Sequence, residues 1–455
     1  MKKQIMPIKT NKIPIAIITI FILTFSIILP TTTYASEISI PDMEIEKIPE
    51  TQKSDNRETA YINISNNVAI KKHAKKTSLL VNTEDELQNA IKNNTDQDGV
   101  FIKLANNITI SQTINIDKKT YIDLAGYKIE GNGNDLILNI LTTGELTLES
   151  TADTNGLLTN GGQSAIVNDG TAIIKNIAIK ENSSNYGGAI YNKWGSNLTL
   201  SNVNITKNTA KSCGGAIYNE EYGFLKLADV EITENSARCG GAIYSEEYGF
   251  LKLKRVKIIQ NTAQSDENGI GVGGGIYSYE ENLIDFENVT INNNIAYNAG
   301  GIYMRNNNNN SENGQYKFKN ITISGNNAES KYGGIQAIFM KNKEDENKLE
   351  LEGKVYIAEN MCNNTPSDLN VNFDSDFCTP IKISKNGLTK NSKIGLWFST
   401  EYISNEGNII ISDFSKTYLP YFVSNSENIK IGMKQDDSNS LYATSKDLDM
   451  TGNNL

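Results

Sequence analysis

Six times between residues 186 and 335 the chain returns to one phrase. It reads Tyr186-Gly187-Gly188-Ala189-Ile190-Tyr191-Asn192, then Cys213-Gly214-Gly215-Ala216-Ile217-Tyr218-Asn219, then Cys239-Gly240-Gly241-Ala242-Ile243-Tyr244-Ser245. Shorter forms follow at Gly273-Gly274-Gly275-Ile276-Tyr277, Ala299-Gly300-Gly301-Ile302-Tyr303 and Tyr332-Gly333-Gly334-Ile335. The shared isoleucines are 27, 26, 33, 26 and 33 residues apart. A second phrase, Ile-x-x-Asn, keeps the same pace and ends at Asn182, Asn208, Asn235, Asn261, Asn294, Asn326 and Asn360. Two markers sharing one period mean a solenoid of similar coils.

Within each repeat, segments such as Leu225-Lys226-Leu227 and Val230-Glu231-Ile232 alternate apolar and polar residues, as strands do. Gly, Asn, Asp and Ser separate them and supply turns. A coil of this length divides into three short strands and three turns. The expected fold is therefore all-β: a right-handed parallel β-helix with a short N-terminal capping helix and an irregular β C-terminal tail. Stacked coils lie about 4.8 Å apart, so equivalent residues form ladders. Inward isoleucines and leucines bury a common core. The recurring Asn pairs with its counterparts above and below. The glycine pair serves positive φ or close backbone approach.

Organisation along the chain follows from composition. Lys2, Lys3, Lys9 and Lys12 precede an apolar run from Ile13 to Leu29 and the small-residue site Thr33-Tyr34-Ala35, the pattern of a secretory signal over 1–35. Residues 36–78 are polar and aperiodic and read as a disordered linker. Thr83-Glu84-Asp85-Glu86 opens a capping helix within 79–99, the β-helix occupies 100–376, and 377–455 forms terminal coils or a small β cap. Since no second long hydrophobic stretch follows, the mature chain is expected to carry no integral membrane span.

The Gly-Gly-Ala-Ile phrase, with a hydrophobic-x-x-Asn phrase a few residues upstream, resembles the repeats of the polymorphic outer membrane proteins of chlamydiae. It is also similar to a wider set of bacterial right-handed parallel β-helix surface proteins of the pectate-lyase-like fold. Asp123-Leu124-Ala125-Gly126 resembles an Asp-Leu-Asn-Gly phrase of such proteins. The resemblance covers about Thr83 to Asn360, with Ile standing where the family has Phe. It implies a secreted protein associated with the cell surface and adhesin-like in function.

The chemistry available narrows the function. The only histidine is His73, in the expected linker, which removes His-based nucleophilic triads and His-ligated zinc. Arginine is confined to Arg57, Arg238, Arg255 and Arg305. The repeats contain no Asp-Asp pair, so no catalytic residue is assigned. A formal net charge of −10 argues against nucleic acid and anionic membrane as partners.

Three residue sets remain as candidates. Tyr191, Tyr218, Tyr244, Tyr277 and Tyr303 each follow an inward isoleucine, so they point outward as an aromatic stripe for a glycan or protein on a cell or matrix surface. Glu220, Glu221, Glu246, Glu247, Glu280 and Glu281 follow the same phrase and stack into a carboxylate patch, either solvated or bridged by Ca²⁺. Cys213 and Cys239 fall one coil apart at equivalent positions, within disulfide range, which leaves Cys362 with Cys378. The expected function is a non-enzymatic, adhesin-like β-helix that needs no cofactor. The alternative on the same fold is an extracellular polysaccharide lyase or glycoside hydrolase, which would gather carboxylates or basic residues from several coils.

Overall fold

The computed structural model describes residues 77–445 except 266–270, 281, 307–314, 341–348, 373–376, 379–380, 399–402, 404–407, 413 and 435–436, with backbone alone at 340 and 377–378. The expected signal segment, His73, Glu281 and nearly all of the expected linker lie outside the described residues. Between Leu79 and Lys331 every described strand pairing is parallel, and each joins equivalent strands of successive coils. The chain is a parallel β-helix.

The first three coils, Val100–Asn168, have the expected three strands, and from Ser183–Tyr186 onward a short fourth side joins the coil. One coil runs through Ser236–Ala237 (the short side), Ile243–Ser245 (the tyrosine side), Phe250–Lys254 (the leucine side) and Lys257–Ile259 (the asparagine side). Alternation in the sequence hides the fourth strand because the short side is only two residues long here. The corner between the leucine and asparagine sides is equally hard to see, because a single residue makes it. Asn202, Asp229, Arg255, Asn288 and Asn320 occupy that corner with φ of 52–56°. Left-handed residues make the other corners too, including Lys207, Glu234 and Gln260 before the ladder asparagines, and Tyr222 and Tyr248 beyond the tyrosine side. Each such non-glycine residue costs about 1–2 kcal/mol in isolation, so stacking must hold it in place.

The two glycines of the phrase do different work. The first takes positive φ at Gly187, Gly214, Gly240 and Gly273. The second is needed for space: a Cβ on Gly188, Gly215, Gly241 or Gly274 would fall inside contact distance of the next coil's glycine carbonyl oxygen.

Three apolar ladders fill the interior. Ile190, Ile217, Ile243, Ile276 and Ile302 stack on the tyrosine side, Leu198, Leu225 and Leu251 on the leucine side, and Ile205, Ile232, Ile258 and Ile291 on the asparagine side, all fully buried. The repeated asparagines are buried as well. Asn182, Asn208, Asn235, Asn261, Asn294 and Asn326 each donate Nδ2–H to the next Oδ1, at 2.8–3.0 Å, and that same Oδ1 accepts the backbone N–H of the donating residue. The ladder ends on Asp368, whose Oδ1 accepts both N–H and Nδ2–H of Asn360 at 2.8 Å.

The ends are closed by different means. At the N-terminal end, strand Leu79–Val81 pairs with Ile102–Leu104, and helix Glu84–Lys92 follows it. Thr83 caps the helix by accepting the Glu86 N–H at 3.2 Å, and Leu87 and Ile91 are buried beneath it. The Glu84 carboxylate accepts the Ser111 and Gln112 N–H groups at 2.8 and 2.9 Å, which docks the helix on a coil. At the other end, parallel coils continue through Ile381–Leu388, Lys393–Phe398 and Phe422–Ser424. A three-stranded antiparallel sheet, Asn408–Ile411, Lys430–Gly432 and Leu441–Thr444, follows.

Candidate functional site

The coil register assembles the candidate residues into one surface. Tyr191, Tyr218, Tyr244, Tyr277 and Tyr303 are direct register partners in successive coils. Their ring centroids are 4.7–5.1 Å apart, stacked for Tyr218–Tyr244 and edge-on for the other neighbours. The expected outward stripe is therefore continuous, but it is not freely exposed. Tyr218 is only 6 % accessible and the other four are half-buried. Side chains leaving the tyrosine side meet those leaving the short side at the corner between them. Tyr218 packs with Cys213 and Cys239 there, with Tyr191, Tyr244 and Tyr277 against this cluster. Tyr186 adds a ring 5.1 Å from Tyr218. Burial, reinforced by Glu220 beside Tyr191 and by Glu246 beside Tyr218, holds both phenols far above their ordinary pKa.

The glutamates border this stripe. Tyr218 donates its hydroxyl to Glu246, whose other oxygen accepts the Glu221 N–H at 3.4 Å. Glu220 accepts the Trp194 N–H at 3.0 Å. Glu221 is pushed above the usual carboxylate range by burial and by the charges of Glu246 and Glu220. Glu280 hydrogen bonds Tyr279. The Glu220, Glu246 and Glu280 carboxylates thus take protein donors. Among the described residues no three or more carboxylate, thiol or imidazole side chains gather in a metal-holding arrangement.

Cys213 and Cys239 form the parallel bridge that the coil register predicts, and their thiols are in hydrogen-bond contact without a disulfide. Contact with Cys239 and burial hold the Cys213 thiol protonated. Cys362 carries a free thiol on the short-side sheet. The Cys378 side chain lies outside the described residues; its backbone pairs with Phe339.

One element of this surface was not foreseen. Trp194, Tyr222 and Tyr248 form a second aromatic row, at the corner beyond the tyrosine side. Its signal was present in the sequence as Glu220-Glu221-Tyr222-Gly223 and Glu246-Glu247-Tyr248-Gly249, where an aromatic follows each acidic pair.

Two segments, residues 202–220 and 229–246, match the family model described as the Chlamydia polymorphic membrane protein (Chlamydia_PMP) repeat. They are repeats of that type, carried on a parallel β-helix. Each matched segment runs from the corner before the asparagine side, through the ladder asparagine and the Gly-Gly-Ala-Ile-Tyr phrase, to Glu220 or Glu246. The matched repeats thus contain Tyr218, Tyr244, Cys213 and Cys239. No curated protein and no solved structure matches the chain. Among the described residues no helix is long and apolar enough to cross a membrane.

Proposed function

We propose that this chain is a secreted, adhesin-like β-helix that binds a cell-surface or matrix ligand through the tyrosine side and its bordering glutamates. One observation carries the reading. The successive coils, the two matched repeats among them, build a continuous five-ring tyrosine ladder edged with carboxylates. Half-buried aromatics with polar tips are well suited to recognition, because they offer contact area at small entropic cost. Glycan arrays and matrix-protein panels test this, using the wild type and a Tyr244→Leu/Tyr277→Leu variant. Leucine keeps apolar packing against the cysteines and removes the flat rings. The variant is expected to stay folded and lose attachment; full attachment by a folded variant would remove the tyrosine side from the reading.

The glutamate patch supports a second reading, a glycoside hydrolase. Glu221, raised above its ordinary pKa by burial and by the charges of Glu246 and Glu220, stands beside Glu246, which is engaged by a hydroxyl and an N–H donor. Two neighbouring carboxylates held in different surroundings are the pair such chemistry uses. Turnover separates the two readings: an enzyme forms product that the Glu221→Gln variant loses, whereas an adhesin forms none with either protein.

A further inference from the structure

We infer that the corner row Trp194–Tyr222–Tyr248 is a binding track for a linear, neutral polysaccharide lying along the solenoid axis. The inference rests on the surface-binding reading above and names the ligand class it would take. Trp194 is 63 % accessible, the largest value among the exposed large hydrophobics of the described coils between residues 100 and 398. Tyr222 and Tyr248 lie parallel, at 8° and 4.8 Å, so each covers a face of the other and the pair offers ring rims and hydroxyls. Trp194 stands at 71° to Tyr222, 5.8 Å away, and its plane is not covered in that manner. Its backbone is pinned by the Glu220 carboxylate at 3.0 Å, which fixes where the indole stands.

The spacing selects the kind of polymer. The row repeats once per coil, about 4.8 Å, close to the advance of one ring in a pyranose chain with equatorial links. An extended peptide places side chains on one face about 6.6–6.8 Å apart and falls out of step within two coils. The polar surroundings select further. Glu220, Glu221, Glu246 and Glu247 follow the tyrosine side on these coils, supplying acceptors for sugar hydroxyls and repelling anionic chains. The track is bounded in length. One coil earlier the turn is only Asp169-Gly170, closed by the Lys193–Asp169 ion pair at 3.7 Å. One coil later Tyr279 turns back against Tyr277.

The test is calorimetric titration of the full chain with cello-oligosaccharides of two to six rings, and with oligogalacturonates of equal length. Affinity is expected to rise with each ring up to three, one for each of Trp194, Tyr222 and Tyr248, and then level off. Oligogalacturonates are expected not to bind. Trp194→Ala should weaken cellohexaose binding roughly tenfold or more, with part of it restored by Trp194→Phe. Equal binding by wild type and Trp194→Ala, preference for the anionic chain, or no oligosaccharide binding by the wild type would each overturn the track. Attachment assays on Trp194→Ala keep the two ideas apart. Lost oligosaccharide binding with retained surface attachment supports the track and leaves the tyrosine side as the attachment site. A wild type that attaches to surfaces yet binds no oligosaccharide refutes the track alone.

Discussion

Replacing Asn261 with Ala should open the solenoid from the middle. The side chain is fully buried, and it donates to the Ile232 and Ile259 carbonyls at 3.0 and 3.1 Å and to Asn294 Oδ1 at 3.0 Å. Its Oδ1 accepts the N–H and Nδ2–H of Asn235 at 2.9 and 3.0 Å. Several of these partners keep other bonds: Asn235 Nδ2 still reaches the Ile205 and Thr233 carbonyls, and Ile259 O still accepts the Glu234 N–H. The Asn235 N–H keeps none that replaces Asn261, and one stranded buried donor costs about 1–3 kcal/mol. With the weakened carbonyls added, the expected loss is about 2–4 kcal/mol. A stacked array need not unfold in one step, so a single melting midpoint would average over coils. Hydrogen exchange resolved along the chain is the better assay. Amides of the coils flanking Asn261 should exchange roughly a hundredfold faster, and those near Leu79–Val81 should be little changed. Acceleration of less than about tenfold at the flanking coils would refute the ladder energetics. Asn261→Asp adds a sign test. A buried carboxylate has a raised folded pKa, so this variant should approach wild-type stability in acid and lose it as pH rises.

Two further outcomes follow from the same geometry. Asp368 is raised above its ordinary pKa chiefly by burial, against the hydrogen bonds of Asn360 and Asn425 and the charge of Lys393. Its contribution is thus fully present below the unfolded carboxylate pKa and lost as pH rises through the folded value; Asp368→Asn should match wild type in acid and exceed it at neutral pH, and a stability gap independent of pH would contradict this. In an oxidising medium the contacting thiols of Cys213 and Cys239 are expected to close a disulfide that stabilises by about 3–4 kcal/mol through its closed loop; non-reducing peptide mapping checks it, with free thiols at both positions as the contrary result.

Much of this architecture was legible in the sequence, because a solenoid writes its register into its period. Isoleucines spaced by one coil had to stack, and so did the tyrosines after them and the two cysteines before the glycines. The ladder asparagines were legible for the same reason. The corners were not. Left-handed φ at Lys207, Glu234 or Arg255 cannot be read from residues that disfavour it, since the conformation is imposed by coils on either side. The exposure of the tyrosine stripe was misjudged for a related reason. Alternation gives the side of a strand on which a residue lies, but not whether a neighbouring sheet folds toward that side. Cys213 and Tyr218 meet only because the short side and the tyrosine side share a corner. The candidate site was visible as ladders of Tyr and Glu; its hydrogen bonds, Tyr218 to Glu246 and Trp194 to Glu220, join different coils and leave no local trace.

Binding without turnover is the claim on which the account stands, and one paired measurement tests it. The full chain and its Glu221→Gln variant are incubated with neutral glycans, pectins and uronate polymers, with and without Ca²⁺. Retained glycan and newly formed reducing or unsaturated ends are measured in the same samples. The account predicts retention of neutral chains by the wild type and no new ends from either protein. Reproducible product from the wild type, lost in Glu221→Gln, would contradict it and establish the glutamate patch as an active site.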